Sequence, residues 1–133
     1  MSLSILILTL NEECNLADCI RSVSEADDIV VLDSFSSDRT VTIAEEMGVR
    51  VIQRRFDNYA AQRNAGLNET SYKHPWVLMV DADERVTPEL WAEMKKAIET
   101  AEPMVSMFHM RRKDYWFRQW IRRSSGYPTW FGR

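Results

Sequence analysis

The sequence predicts an α/β fold: an open, mostly parallel sheet with helices on both faces. Three observations carry this. Short unbroken apolar runs recur at residues 3–8, 29–32 and 76–80, as in strands buried on both sides. Segments with helical spacing separate them. The runs end in polar residues, so strand and helix alternate along the chain, the pattern of a doubly wound sheet.

The elements follow in order. Leu3 to Leu8 is the first strand, and Thr9-Leu10-Asn11-Glu12 turns the chain after it. Leu16, Ile20 and Val23 share a helical face, predicting a helix over 13–24. Ile29 to Leu32 is the second strand and ends at Asp33. A polar loop, residues 34–38, leads to a helix over 40–47, with Gly48 as its stop. Residues 49–52 form a third strand and 59–67 a short helix bearing Gln62, Arg63 and Asn64. Trp76 to Val80 is the fourth strand. Thr87-Pro88-Glu89 starts a helix with a cap, a proline at the first position and an acid in the first turn. Leu90, Met94, Ala97 and Ile98 form its apolar stripe. Beyond Pro103 the pattern predicts a strand over 105–110 and an amphipathic helix over 115–123.

At 133 residues the chain holds one domain. No apolar run reaches the roughly 18–20 residues of a membrane helix, and Met1 to Leu10 reads as a buried strand rather than a leader. Cys14 and Cys19 lack metal spacing and read as reduced thiols in a cytoplasmic protein. The net charge of −3 conceals an asymmetry. Residues 1–103 carry −9, whereas 104–133 carry +6 and eight of the 14 aromatic residues. We therefore divide the chain into a core, 1–103, and a basic, aromatic segment, 104–133. The acidic core and the absence of a recognised motif argue against nucleic-acid binding.

In a parallel sheet all strand C-termini share one edge, where such sheets bind ligands. That edge gathers Thr9, Asn11, Glu12, Asp33, Ser34, Asp81 and Asp83. Crowded carboxylates repel unless a cation or donors compensate. Asp81 and Asp83, two apart, suit a hard divalent cation that neutralises a diphosphate. Asp33 can accept from a nucleobase N–H, Thr9 can offer a hydroxyl beside it, and Arg63 can reach a phosphate. Taken singly, each residue also has a local reading: Asn11 capping the first helix, Asp38 the second, Arg63 on a solvated face. The first turn has no glycine, so neither G-x-G-x-x-G nor a P-loop is present.

Four segments, in order, carry a resemblance. Thr9-Leu10-Asn11-Glu12 resembles the T-x-N-E opening of family 2 glycosyltransferases. Asp33-Ser34-Phe35-Ser36-Ser37-Asp38-Arg39-Thr40 is similar to their D-[DS]-G-S-T-D-G-T loop, with Phe35 and Arg39 in place of glycines. Gln62-Arg63-Asn64-Ala65-Gly66 resembles A-x-R-N-x-G, and Asp81-Ala82-Asp83 their metal-binding D-x-D. Residues 110–117, 120–122 and 126–128 resemble the subgroup that includes lipopolysaccharide core β-glucosyltransferases.

The resemblance implies a GT-A fold of the nucleotide-diphospho-sugar transferase type. It implies inverting transfer to a saccharide or lipid-linked acceptor in cell-envelope polysaccharide or lipopolysaccharide synthesis. The donor, foremost a UDP-sugar, would meet Thr9, Asn11, Glu12, Asp33, Ser34, Arg63 and Asp81. Asp83, with Asp81, would hold Mg²⁺ or Mn²⁺. The family's catalytic base is expected beyond Arg133, so the chain reads as a C-terminally truncated or shortened member carrying the donor half. Its setting would be cytoplasmic, at the inner face of the plasma membrane, with peripheral contact through residues 114–123 and homo-oligomerisation as open expectations. Two alternatives stand beside this. One is a non-catalytic module for a nucleotide-sugar or a partner. The other is a haloacid-dehalogenase-like phosphatase using Asp81 and Asp83.

Overall fold

A computed structural model describes residues 3–120 and 129–132. The chain forms two compact units, 1–100 and 101–133. The first contains β1 (Leu3–Thr9), α1 (Leu16–Ser22), β2 (Ile29–Asp33), α2 (Thr40–Glu46), β3 (Arg50–Gln53), α3 (Tyr59–Asn68), β4 (Trp76–Asp81) and α4 (Pro88–Glu99). Its four strands are all parallel, in the order β3-β2-β1-β4.

That order fixes where the helices lie. The chain steps from β1 to β2 to β3 in one direction, then returns across the sheet to β4. Right-handed crossovers therefore put α1 and α2 on one face and α3 on the other. The packing agrees: α1 touches α2, while Gly66 of α3 lies against Leu6 and Leu32. Strand alternation supplies both cores. Leu6, Val30 and Leu32 form one, with Leu8, Tyr72, Val77 and Met79 packed on it. Ile5, Ile7, Val31, Leu78 and Val80 are buried on the opposite side. The reversal of direction falls between β1 and β4, the place where such sheets open a ligand crevice.

Local chemistry sets the helix ends. Gly48, at φ 72°, ends α2: its N–H bonds the Glu45 carbonyl at 3.0 Å and the Val49 N–H bonds that of Ala44 at 3.2 Å, a Schellman stop. Asn58 caps α3 by accepting from the Ala61 N–H, and Thr87 caps α4 by accepting from that of Leu90. In α4 the predicted stripe is only half-buried, and Trp91, beside it, is the buried anchor.

Asn11 does not cap the first helix. Asn15 occupies the N-cap of α1, and Asn11 sits four residues earlier at φ 53°. The Asn11 carboxamide oxygen accepts instead from the Ser37 N–H at 2.8 Å, tying the first turn to the second. Asp38 accepts from the N–H of Thr40, the first residue of α2, at 2.9 Å.

The second unit contains β5 (His109–Arg112), β6 (Tyr115–Trp116), β7 (Gln119–Trp120) and β8 (Thr129–Gly132). β5 pairs antiparallel with β8, and β6 with β7. Two expectations are corrected here. The predicted strand over 105–110 begins only at His109. The described part of the predicted helix over 115–123 is a hairpin, and residues 121–123 lie outside the described residues. Its two-residue turn is Phe117-Arg118, both at positive φ, 47° and 62°, the type I′ geometry that matches the twist of paired strands. Apolar spacing there suited a helix, but aromatic residues flanking a tight turn also suit a hairpin.

Candidate functional site

The C-terminal ends of β1, β2 and β4 meet where the sequence places them. Thr9 lies opposite Asp33, and its neighbour Leu8 lies opposite Asp81. With strands about 4.8 Å apart, Asp33 and Asp81 flank β1 about 10 Å from each other.

Asp33 is fully buried and is the hub of this edge. One carboxylate oxygen accepts from the hydroxyls of Thr9, at 2.8 Å, and Ser36. The other accepts from the Ser36 N–H at 2.8 Å and from the Gln53 amide at 3.3 Å. Such donors support a buried carboxylate that water cannot reach. The loop is then stitched to the first turn. The Asn11 N–H donates to Ser36 Oγ at 2.8 Å, and the Glu12 N–H to Thr40 Oγ1 at 2.9 Å. Glu12 itself accepts from the Asn15 side chain at 3.0 Å. Ser34 accepts from Gln62 Nε2 at 3.1 Å.

Phe35, where the resembling motif has glycine, takes φ 60° and leaves its ring 53 % exposed. The left-handed backbone of the loop is thus kept without glycine, at a cost of about 1–2 kcal/mol. The described interactions hold it at Asp33, Ser34 and Ser36 on either side.

On the other flank, Arg63 of α3 pairs with Asp81, with 3.6 Å between Nη2 and Oδ1. Its Nε is buried without a hydrogen-bond partner, so the guanidinium keeps an unsatisfied donor beside Asp81. The turn after β4 closes on itself: the Asp81 N–H donates to the Glu84 carboxylate at 3.0 Å, and the Glu84 N–H to the Asp81 carbonyl at 2.9 Å. Asp83 sits exposed at this turn. Cys19 Sγ lies 3.8 Å from the Asp81 carbonyl oxygen, but burial pushes its thiol up to about 12, so it is no nucleophile at neutral pH.

No three His, Cys, Asp or Glu side chains among the described residues are arranged to enclose a cation. Two accessible carboxylates suit a different arrangement, in which substrate phosphates and water complete an oxygen shell. Asp81 and Asp83 are oxygen donors of the kind that Mg²⁺ and Mn²⁺ take.

Several members of this network were missed as site residues in the sequence. Ser36, Gln53 and Glu84 brace the aspartates. Gln62 is buried at 3 % exposure and bridges Ser34 to Arg54, whose guanidinium it meets at 2.9 Å. The one available signal was Ser36, a hydroxyl placed three residues after Asp33, where loop aspartates bond locally.

A doubly wound sheet with acidic side chains at its switch point defines a class of α/β protein that opens a ligand crevice at that edge. The chain belongs to glycosyl transferase family 2, whose model matches residues 4–132. An uncharacterized glycosyltransferase of Rickettsia bellii is 38 % identical over 94 residues, covering 70 % of this chain and 31 % of that protein. The lipopolysaccharide core biosynthesis glycosyltransferase LpsC of Rhizobium meliloti is 30 % identical over 120 residues, covering 86 % and 43 %. Among solved structures, glucosyl-3-phosphoglycerate synthase of Mycobacterium tuberculosis with Mg²⁺ and UDP superposes with a TM-score of 0.62 at 25 % identity, covering 76 % and 40 %. The chain thus spans less than half the length of these relatives. No described helix is long and apolar enough to cross a membrane.

Proposed function

We propose that this chain is the donor-binding part of an inverting glycosyltransferase that uses a nucleotide-diphospho-sugar, foremost a UDP-sugar. The observation that carries the reading is the pair of clusters flanking β1. On one side Asp33 is fixed among Thr9, Ser36 and Gln53; on the other Arg63 pairs with Asp81, and Asp83 follows in the exposed turn. The separation of about 10 Å suits a ligand with a base at one end and a diphosphate at the other. Asp33, with Thr9 and Ser34, takes the nucleoside; Asn11 and Glu12 fix the turn beside it. Arg63 meets the phosphates, Asp81 the ribose or sugar side, and Asp83 carries the main metal contact.

In the reaction, the acceptor oxygen attacks the anomeric carbon as the bond to the diphosphate oxygen breaks, inverting that carbon. A general base takes the acceptor proton. Arg63 is placed to balance charge gathering on the departing diphosphate. Asp83 and Asp81 would hold a divalent cation, which would supply Lewis-acid stabilisation of the leaving group. The likeness to LpsC supports an envelope saccharide or a lipid-linked sugar as acceptor. Family membership displaces the phosphatase alternative.

The test is calorimetric titration of UDP and GDP into the chain with and without Mn²⁺. The expected result is metal-dependent binding of UDP that Asp83→Ala abolishes while thermal unfolding is unchanged. Equal affinity in the variant would remove Asp83 from the site. Absence of UDP binding by the folded wild type would overturn the donor reading.

A further inference from the structure

The second unit presents an aromatic edge that the donor reading does not use. Tyr115, Trp116 and Phe117 run consecutively into the β6–β7 turn and are 62 %, 67 % and 86 % exposed. The rings of Trp116 and Phe117 meet edge to face at 5.3 Å. The turn holds Phe117 and Arg118 at positive φ, where Asn-Gly or Gly-Gly is the favoured choice. A bulky ring and a cation thus occupy a tip whose backbone favours neither, and neither is buried there.

The charge around this tip is one-sided. Residues 104–133 carry seven Lys and Arg against one acid, Asp114. That acid is already engaged by Arg112, at 2.9 Å. Lys113 lies over the Trp120 ring, 4.6 Å from its centroid, next to the Tyr115–Trp120 pair of the hairpin.

We propose that the β6–β7 hairpin is a membrane-surface anchor, with Trp116 and Phe117 entering the interface of an anionic bilayer and Arg118 and Lys113 meeting its headgroups. Aromatic rings favour the boundary between headgroup and acyl chain, and cations beside them favour anionic lipid. The two needs are met within one six-residue hairpin and its flank. The acidic first unit cannot supply the attraction, so it must come from this segment over about one Debye length, roughly 10 Å at 0.1 M salt. The proposal is independent of the donor site and does not require it to be right.

The experiment is co-sedimentation of the whole chain with vesicles of phosphatidylcholine alone, or of phosphatidylcholine mixed with phosphatidylglycerol. The informative variant is Phe117→Gly, because glycine suits the positive φ and keeps the turn. Binding to the mixed vesicles is expected, with little to the neutral ones, and to weaken as salt is raised. Phe117→Gly should lower the partition coefficient about tenfold, and Arg118→Gly about fivefold. No binding to anionic vesicles, equal binding to neutral ones, or a Phe117→Gly variant that partitions like wild type would each overturn the proposal. So would tight binding of a single-stranded oligonucleotide lost in the same variants, since stacked bases would then be the ligand.

Discussion

Replacing Asp28 by asparagine tests how the edge of the sheet opposite the candidate site is held. The Asp28 side chain is 1 % exposed. One carboxylate oxygen accepts from the Ser4 hydroxyl and from the Lys73 N–H at 2.9 Å; the other accepts from Arg50 at 2.7 Å. Burial alone would raise its pKa. The Ser4 hydroxyl, the Lys73 N–H and the Arg50 guanidinium outweigh that and hold the carboxyl at about 2, against an ordinary 3.8. The difference is about 2 kcal/mol of stability. Because the folded value is depressed, this contribution is complete above pH 3.8 and lost as pH falls through 2.

Asparagine keeps the shape but puts an N–H₂ where an oxygen accepted. Donor then faces donor on one side, and the charge is gone. The expected cost at neutral pH is about 2–3 kcal/mol. Urea unfolding at different pH values separates the parts. Between about pH 6 and pH 3 the gap between wild type and variant should narrow by about 1 kcal/mol, because the wild type gives up part of what asparagine never had. A gap that stays constant over that range would refute the argument that ionised Asp28 is favoured by the fold.

Other consequences are equally direct. A Cβ at Gly66 would lie 2.6 Å from Leu6 Cδ2 and 3.3 Å from Leu32 Cδ2. Overpacking of about 1–3 kcal/mol should exceed the helix gain of about 1 kcal/mol, so Gly66→Ala should lower the urea midpoint, and a rise would mean that α3 is free to move off the sheet. Phe35→Gly should raise the melting temperature, since it removes a left-handed non-glycine residue at a net gain below about 1 kcal/mol; a fall would show that the ring packs where it looks exposed. In the folded chain a thiol reagent at mildly alkaline pH should label Cys14, which is exposed, and spare Cys19, which is buried and shifted to about 12; two rapid equivalents would contradict that burial.

Much of this protein is local in origin, and so legible in the sequence. The runs ending at Thr9, Asp33 and Asp81 became parallel strands because unbroken apolar stretches need cover on both faces. Gly48 and Thr87 mark helix ends because positive φ and an N-cap hydroxyl are demands of single residues. The likeness of four short segments to a family pointed to the edge where Thr9, Asp33 and Asp81 assemble.

The tertiary structure decided what depends on distant partners. The sequence did not reveal that Asn11 would serve the Ser37 loop rather than the first helix, because its acceptor bonds a residue 26 positions away. It did not show Gln62 as the bridge from Ser34 to Arg54, or Arg63 against Asp81, because those pairs form only when α3 crosses back over β1 to deliver β4. Tyr115 to Trp120 had an apolar pattern compatible with helix or hairpin. Cross-strand pairing and a turn at positive φ chose the hairpin, a choice that short-range periodicity leaves open because it records which residues are apolar and not what they will meet.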